Sequence, residues 1–521
     1  MSTKDVVIQR FCEYVRIGTG LVASSFMTTR LFLVGSLCAA CLLGQGTFVY
    51  VNNDAAAAPN SVSAFSVGAN GALTMVAGSP FATGGTGLTG GDYAANRIAT
   101  AIVKGFLYVA NGGSNNVSAF SIDPVSGVLT PVAGSPFATG GLAGGLGISL
   151  ATTPDDNFLI ATNHASVDVT VYSISASGAL SPIPGSPFPA GPGGFPDGIK
   201  VTQDGRFLAV ARPSVNSVSM FSISGLGGLT PVPGSPFTAG GSPEFGGAAG
   251  IDCNCSSNQL FIAEANISST IVSVQNIAPN GALSPVSGSP FVGPGINSNV
   301  AVLNPYDSEL FVSDEASNSV TAFSVAATGA LTLVPGSPFP TVTAGASRPG
   351  GMATNQAGTF LYVAAQDGRI TGFSIAPGGA LTPVPGSPFS NGVPLAFRSH
   401  SLVVFPPKSC CPAPVITGVS ASPDALWPPD LRFVDVTIGY NVFTAPCPNT
   451  CVLTVSSNEP PVDGEGPEWV VLDAHHLQLR AERLGSGAGR TYTITITCTN
   501  DTKKESSTQT VTVFVPHNQG Q

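Results

Sequence analysis

The sequence predicts an all-β protein: a seven-bladed β-propeller closed by strand exchange, followed by a small β-sandwich. Three observations predict it. The tetrapeptide Gly-Ser-Pro-Phe occurs seven times, ending at Phe81, Phe137, Phe188, Phe237, Phe291, Phe339 and Phe389, at spacings of 48–56 residues. Each copy closes a unit of short segments in which apolar and small polar residues alternate, the pattern of half-buried strands. The units are also out of phase with the ends of the repeat region, so that one strand is missing at the start and one is left over at the end.

Internal repetition at this period signals a solenoid or propeller. Before each Gly-Ser-Pro-Phe stands a strand such as SVSAFSV (61–67), NVSAFSI (116–122) or SVTAFSV (319–325). A Gly-containing turn and a short outer strand follow, as in GALTMV (71–76) and GALTPV (379–384). Upstream lies FLYVAN (106–111), recurring as FLIATN (158–163), FLAVAR (207–212), LFIAEA (260–265), LFVSDE (310–315) and FLYVAA (360–365). The innermost strand precedes it, as in GISLATT (147–153), GIKVTQ (198–203), VAVLNP (300–305) and GMATNQ (351–356), joined through Asp-, Asn- and Gly-containing turns. Four strands per unit make one blade. The first unit opens on its second strand, TFVYVNN (47–53), and SLVVFPP (401–407) remains after the seventh. Pairing the two closes the ring and removes the exposed edges that invite aggregation. The seven copies of Gly-Ser-Pro-Phe read as architecture: Pro ends the outer strand, Gly permits a bend and Phe wedges between blades.

With 63 Gly and 44 Pro but 43% hydrophobic residues, the composition is that of short strands and tight turns rather than of disorder. A net charge of -10, with nine scattered Lys and Arg between residues 47 and 408, excludes a phosphate-tracking surface, so no nucleic acid is expected.

Residues 1–46 read as a leader: Arg30 precedes the apolar run 31–43, and Gly44 and Gly46 offer a small-x-small cleavage site. The run is shorter than the ~20 residues that span a bilayer. Translation from Met27 would shorten the leader, and acylation of Cys41 is the alternative, although Cys38 stands where a lipobox has Leu. A membrane contact is expected only if this segment is lipidated or uncleaved. Seven cysteines lie beyond it, and in an oxidising compartment disulfides are favoured over zinc, since Cys447 and Cys451 lack a second well-spaced pair.

The repeats, with YVNN (50–53), YVAN (108–111) and IATN (160–163), resemble YVTN-type propellers and the seven-bladed lactonase family that includes propeller-type 6-phosphogluconolactonases, over residues 47–408. The resemblance implies a site at the channel mouth. Arg348, in SRPGGMAT (347–354), is similar to the family's arginine loop, and Glu264, in LFIAEA, to its acidic strand end; Pro349 stands where the family pairs the arginine with a histidine. Hydrolysis of a lactone needs a base and a cation for the oxyanion. His400 or Glu264 serve as candidate bases and Arg348 or Arg398 as candidate cations. His164, Arg212, Asp314, Glu315 and Arg398 are candidate ligand-binding groups on the same loops.

From Cys410 the repeat stops, and residues 409–521 carry six alternating strands: 415–421, 432–440, 451–457, 476–482, 491–498 and 508–515. The segments 424–436 and 477–499 are similar to Ig-like, hyalin-repeat-like modules of bacterial surface proteins, which implies a small Ig-like β-sandwich acting as spacer or adhesive. Asp463, Glu465 and Glu468 read as a solvated acidic loop in preference to a calcium site, and His475 and His476 as exposed residues. The reading for the whole is an exported, monomeric binding or scaffold protein for a protein or glycan partner, with no cofactor. Lactone hydrolysis at the channel mouth is the alternative, and a quinone- or metal-dependent oxidoreductase is disfavoured by the scarcity of His, Trp and acidic residues at repeat-equivalent positions.

Overall fold

The computed structural model describes residues 46–54, 59–88, 98–101, 104–240, 247–341, 348–393, 401–407, 410, 414–443, 449–460, 467–485, 489–500 and 506–517. The leader and its cysteines lie outside them.

Seven antiparallel sheets form the propeller. In the third blade the order from the channel outward is Leu150–Thr152, Phe158–Asn163, Asp168–Ile174, Leu180–Pro182, and the other blades repeat it. The first blade takes its inner strand from the far end of the repeat region: Ser401–Phe405 pairs with Phe48–Asn52, from Ser401 opposite Asn52 to Phe405 opposite Phe48. The strand exchange predicted from the two orphan segments is therefore present.

Each blade holds a fifth short strand that the sequence does not announce. After the outer strand the chain turns through a cis Ser-Pro bond in all seven copies. It then resumes along the third strand from the motif's Phe, as where Phe81 faces Val62 and Phe137 faces Val117. The turn is held by its serine. Ser79, Ser135, Ser186, Ser235, Ser289, Ser337 and Ser387 each accept a hydrogen bond at Oγ, 2.8–3.0 Å long, from a third-strand amide that the outer strand does not reach. The same third-strand residue accepts at its carbonyl from the outer strand, as Ala64 does from Val76 and Ala119 from Val132. Serine thus completes a ladder that would otherwise leave one amide unmet in every blade. The motif's Phe is half-buried and packs on the apolar clusters between blades.

Neighbouring blades are joined by repeated contacts. The glycine of each turn between third and outer strands has positive φ and sits against the first residue of the previous blade's second strand: Gly127 on Phe48, Gly178 on Phe106, Gly71 on Phe360. A β-carbon on Gly127 would lie 2.3 Å from the Phe48 ring. Tyr50, Tyr108 and Tyr362 donate from their hydroxyls to the carbonyls of Gly127, Gly178 and Gly71 at 2.8–3.1 Å. The last of these bonds crosses the seam where the ring closes.

Residues 415–516 form two packed sheets. One orders Val415–Ser422, Phe433–Phe443, His476–Arg480 and Trp469–Val471; the other orders Asn449–Ser457, Gly489–Asn500 and Ser506–Pro516. Leu453, Leu477, Tyr492, Ile494 and Val513 fill the space between them. Cys451 lies directly opposite Cys498 on the neighbouring strand, so their disulfide is within one sheet, not between sheets. Buried Arg490 bridges Glu468 and Glu459. Glu468 is thus a buried ion-pair partner and not part of a solvated acidic loop; Asp463 and Glu465 lie outside the described residues. His475 and His476 are exposed as expected, with His475 stacked on Tyr440 and His476 bonded to Asp473.

Candidate functional site

The last residue of the YVxN stretch occupies one repeat-equivalent position. Aligned through strand register it is Asn53, Asn111, Asn163, Arg212, Glu264, Asp314 and Ala365 in the seven blades, all buried. Diagonally across on the third strand, two positions past its register partner, stands a hydroxyl: Ser63, Ser118, Thr170, Ser219, Ser273, Thr321 or Thr371. In the first three blades the asparagine amide donates to that hydroxyl at 2.8–2.9 Å. The hydroxyl passes its own proton to the preceding blade, to the carbonyls of Asn391, Thr83 and Thr139. Each staple therefore runs from amide to hydroxyl to the neighbouring carbonyl.

Three consecutive blades change the chemistry. Arg212 remains a donor: its guanidinium reaches Ser219 Oγ at 3.5 Å and the carbonyls of Gly191 and Gly194 at 3.2 and 2.9 Å, and burial lowers its pKa. No carboxylate pairs with it among the described residues. Glu264 and Asp314 are acceptors, so the hydroxyl turns toward them. Ser273 donates to Glu264 Oε1, and Thr321 donates to Asp314 Oδ2 at 2.5 Å. Thr270, from the preceding blade, donates to Asp314 Oδ1 at 2.8 Å. Burial raises the Asp314 pKa to about 7 against the opposing pull of the Thr321 and Thr270 hydroxyls. These three residues are therefore buried in the walls and seams of the blades, not solvated charges on the mouth loops.

The remaining candidates divide. Arg348 does lie at the mouth: its side chain is 61% exposed, its φ is +49°, and its guanidinium is 3.9 Å from Glu315. Glu315 also accepts from Gln366 and Asn297 at 3.0 and 3.2 Å, which makes a polar cluster across the sixth and seventh blades. His164 is buried, stacked on Phe195 with ring centroids 4.6 Å apart. Burial depresses its pKa against a hydrogen bond to the Pro196 backbone, so the ring is neutral near pH 7. Arg398 and His400 lie outside the described residues. The structure thus brings Arg348 and Glu315 together, and separates Glu264 from solvent.

Two features went unread in the sequence. Leu142, Phe195, Val215 and Ile267 are exposed on the loops at the end of the strands where Arg348 sits, over the third to fifth blades. Those loops are knit together: Leu142 and Phe195 donate from their amides to Ser166 and Ser214, and Asn297 donates to the Asn266 carbonyl. The second feature is the channel itself. Ala99, Ala151, Lys200, Asp252, Val302, Ala353 and Val403 occupy one register-equivalent position of the inner strands, and all line a cavity of about 240 Å³. Periodicity shows that such a position exists, but only register shows that Lys200 and Asp252 meet there. Among the described residues no group of three His, Cys, Asp or Glu side chains is placed to hold a metal ion, and no helix is long and apolar enough to cross a membrane.

The fold is a seven-bladed β-propeller closed by strand exchange. A model of the family described as lactonase, seven-bladed β-propeller, matches residues 44–193. The crystal structure of a presumed 6-phosphogluconolactonase from Bacteroides fragilis superposes with a TM-score of 0.54 at 18% identity, over 69% of this chain and 98% of that one. Its counterpart from Bacteroides uniformis gives 0.54 at 13% identity, over 69% and 99%. A periplasmic gluconolactonase of Pseudomonas aeruginosa gives 0.49 at 17% identity, over 70% and 98%. No curated protein matches the chain. The two Bacteroides likenesses support the propeller fold; at such identities the activity does not follow from the fold.

Proposed function

We propose that the protein is an exported binding propeller whose upper face, the end carrying Arg348, engages a protein or glycan partner. The observation that carries this reading is the distribution of side chains on that face. Four large apolar side chains, Leu142, Phe195, Val215 and Ile267, are exposed on loops of three successive blades at one end of the propeller, and apolar surface gathered on one face marks interaction sites where it is contiguous. The Arg348–Glu315–Gln366 cluster supplies a polar margin. The chain leaves the propeller at the other end of the strands: after Phe405 it runs to Cys410, which is disulfide-bonded to Cys255 in an inner-to-second-strand turn. The chain thus leaves the propeller at the end opposite Arg348, toward the sandwich, which we read as an Ig-like spacer. Two disulfides among the described residues support an oxidising compartment.

The test is a glycan array and a displayed-peptide library probed with the whole protein and with Phe195→Asp/Ile267→Asp. Binding that falls at least about tenfold in the charged double variant, as loss of a central apolar anchor does, supports the reading. Equal binding by a folded double variant removes the upper face from the account.

Lactone hydrolysis is the second reading, and the family match over residues 44–193 favours it. Arg348 is then the cation for the oxyanion. Buried Glu264, already bonded to Ser273, is poorly placed to be the base. Turnover of sugar lactones that collapses in Arg348→Ala would make this an enzyme.

A further inference from the structure

We propose that the central channel is a binding chamber for a small, neutral, oxygen-bearing molecule, with the Lys200 ammonium as its anchor. The inference concerns the channel interior and is independent of the upper-face reading. In five blades the channel-lining position carries alanine or valine; only the fourth and fifth carry charges, Lys200 and Asp252, 2.7 Å apart. An ion pair in an otherwise aliphatic ring carries a desolvation cost that valine would avoid, and Val302 and Val403 show that valine is accommodated at this level.

The two charges are not equivalent. Asp252 is consumed by the fold: Oδ1 receives Lys200 and the Cys253 amide, Oδ2 receives the Leu303 amide, and its side chain is 5% exposed. The Lys200 side chain is 23% exposed, and Asp252 is its one acceptor among the described residues. An ammonium has three donors, so two remain for whatever occupies the cavity.

Electrostatics selects the ligand class. Burial disfavours the ammonium, but Asp252, with Cys253 and Asp307 beyond it, outweighs that and raises the Lys200 pKa. The lysine is therefore charged, and the Asp252 and Asp307 carboxylates that hold it so repel a second anion. A cation finds the Asp252 oxygens taken. A carbonyl or hydroxyl oxygen on a neutral body accepts from Lys200 without either penalty, while the alanines and valines at the level of Lys200 pack against its apolar part; Thr152, Gln203 and Ser401 also line the cavity. At about 240 Å³ the cavity exceeds what a single water needs. Pro407 lines the same cavity, and three residues further on Cys410 is bonded to Cys255, so the chain is drawn beneath the chamber from the first blade to the fifth.

The probes are δ-valerolactam, a neutral cyclic amide, and pentanoate, an anion of similar size, titrated into the whole protein by ligand-observed NMR. The variant is Lys200→Met/Asp252→Leu, which removes both charges together and leaves an aliphatic ring. Lys200→Met alone would strand a buried carboxylate and risk unfolding; a melting curve checks that the double variant is folded. The expected result is lactam binding by the wild type that weakens at least about tenfold in the double variant, the loss of one charged hydrogen-bond donor, with pentanoate weaker than the lactam in both. No lactam binding to folded wild type, equal binding by the double variant, or a preference for pentanoate each overturns the proposal.

Discussion

Asp314 occupies a position that three other blades fill with asparagine. Its carboxylate lies between Thr270 and Thr321 with no cation paired to it among the described residues, and burial lifts its pKa from 3.8 to about 7. In the unfolded chain it ionises near 3.8, so between that pH and about 7 the folded state holds a proton that the unfolded state has lost. The stabilisation linked to this proton is complete below pH 3.8 and is lost as the pH rises through about 7. At ~1.4 kcal/mol per unit the whole effect is a few kcal/mol. An asparagine side chain at this position would donate to Thr321 and accept from Thr270 without ionising. Asp314→Asn should therefore be more stable than wild type by about 1–3 kcal/mol at pH 8 and within about 1 kcal/mol of it at pH 4. Urea denaturation at the two pH values checks this; parallel pH profiles for the two proteins would show that Asp314 does not titrate in this range. The sequence exposes the substitution, since AVAR (209–212), FIAE (261–264) and FVSD (311–314) stand where YVAN is expected. It does not show that the side chains point into the seams, because strand alternation gives two faces and only the packed blades show which face is closed.

At the scale of the element, the Gly-Ser-Pro-Phe turn is a device for splitting an outer strand. Ser135 accepts from the buried Ala119 amide at 2.9 Å, and alanine there would leave that amide without an acceptor. Ser135→Ala should cost about 1–2 kcal/mol. The same change at Ser121, whose exposed hydroxyl makes only a long bond of 3.4 Å to the Thr130 carbonyl, should cost less than about 0.5 kcal/mol. Thermal unfolding of the two variants separates a hydrogen-bonding role for the motif from a purely steric one, which would make both changes silent. Four strands of each blade were legible because alternation and recurrence both mark them. The fifth, two or three residues long in all blades but the first, has no period of its own, and only its pairing to the third strand reveals it. The edge strand Trp469–Val471 escaped for the same reason.

At the scale of the molecule the ring is closed twice. Ser401–Phe405 completes the first blade through backbone bonds. Five residues later Cys410 is joined to Cys255 of the fifth blade, so a covalent loop spanning 155 positions encloses the fifth blade beyond its inner strand, the sixth and seventh blades and the closing strand. The first closure was readable from two orphan strands. The second was not, because seven cysteines beyond the leader allow many pairings and spacing does not choose among them. Restricting so long a loop in the unfolded chain is worth about 2–5 kcal/mol, and the constraint acts beside the strand whose departure would open the ring. In Cys255→Ser/Cys410→Ser, which leaves no unmatched half of the pair, the loss should concentrate there. Amides of 401–405 and of their partners 48–52 should exchange faster than in wild type, while the third and fourth blades, outside the loop, keep their protection. A uniform rise in exchange across all seven blades would mean that the ring opens only as a whole. Unchanged exchange at 401–405 would mean that backbone pairing closes the propeller unaided.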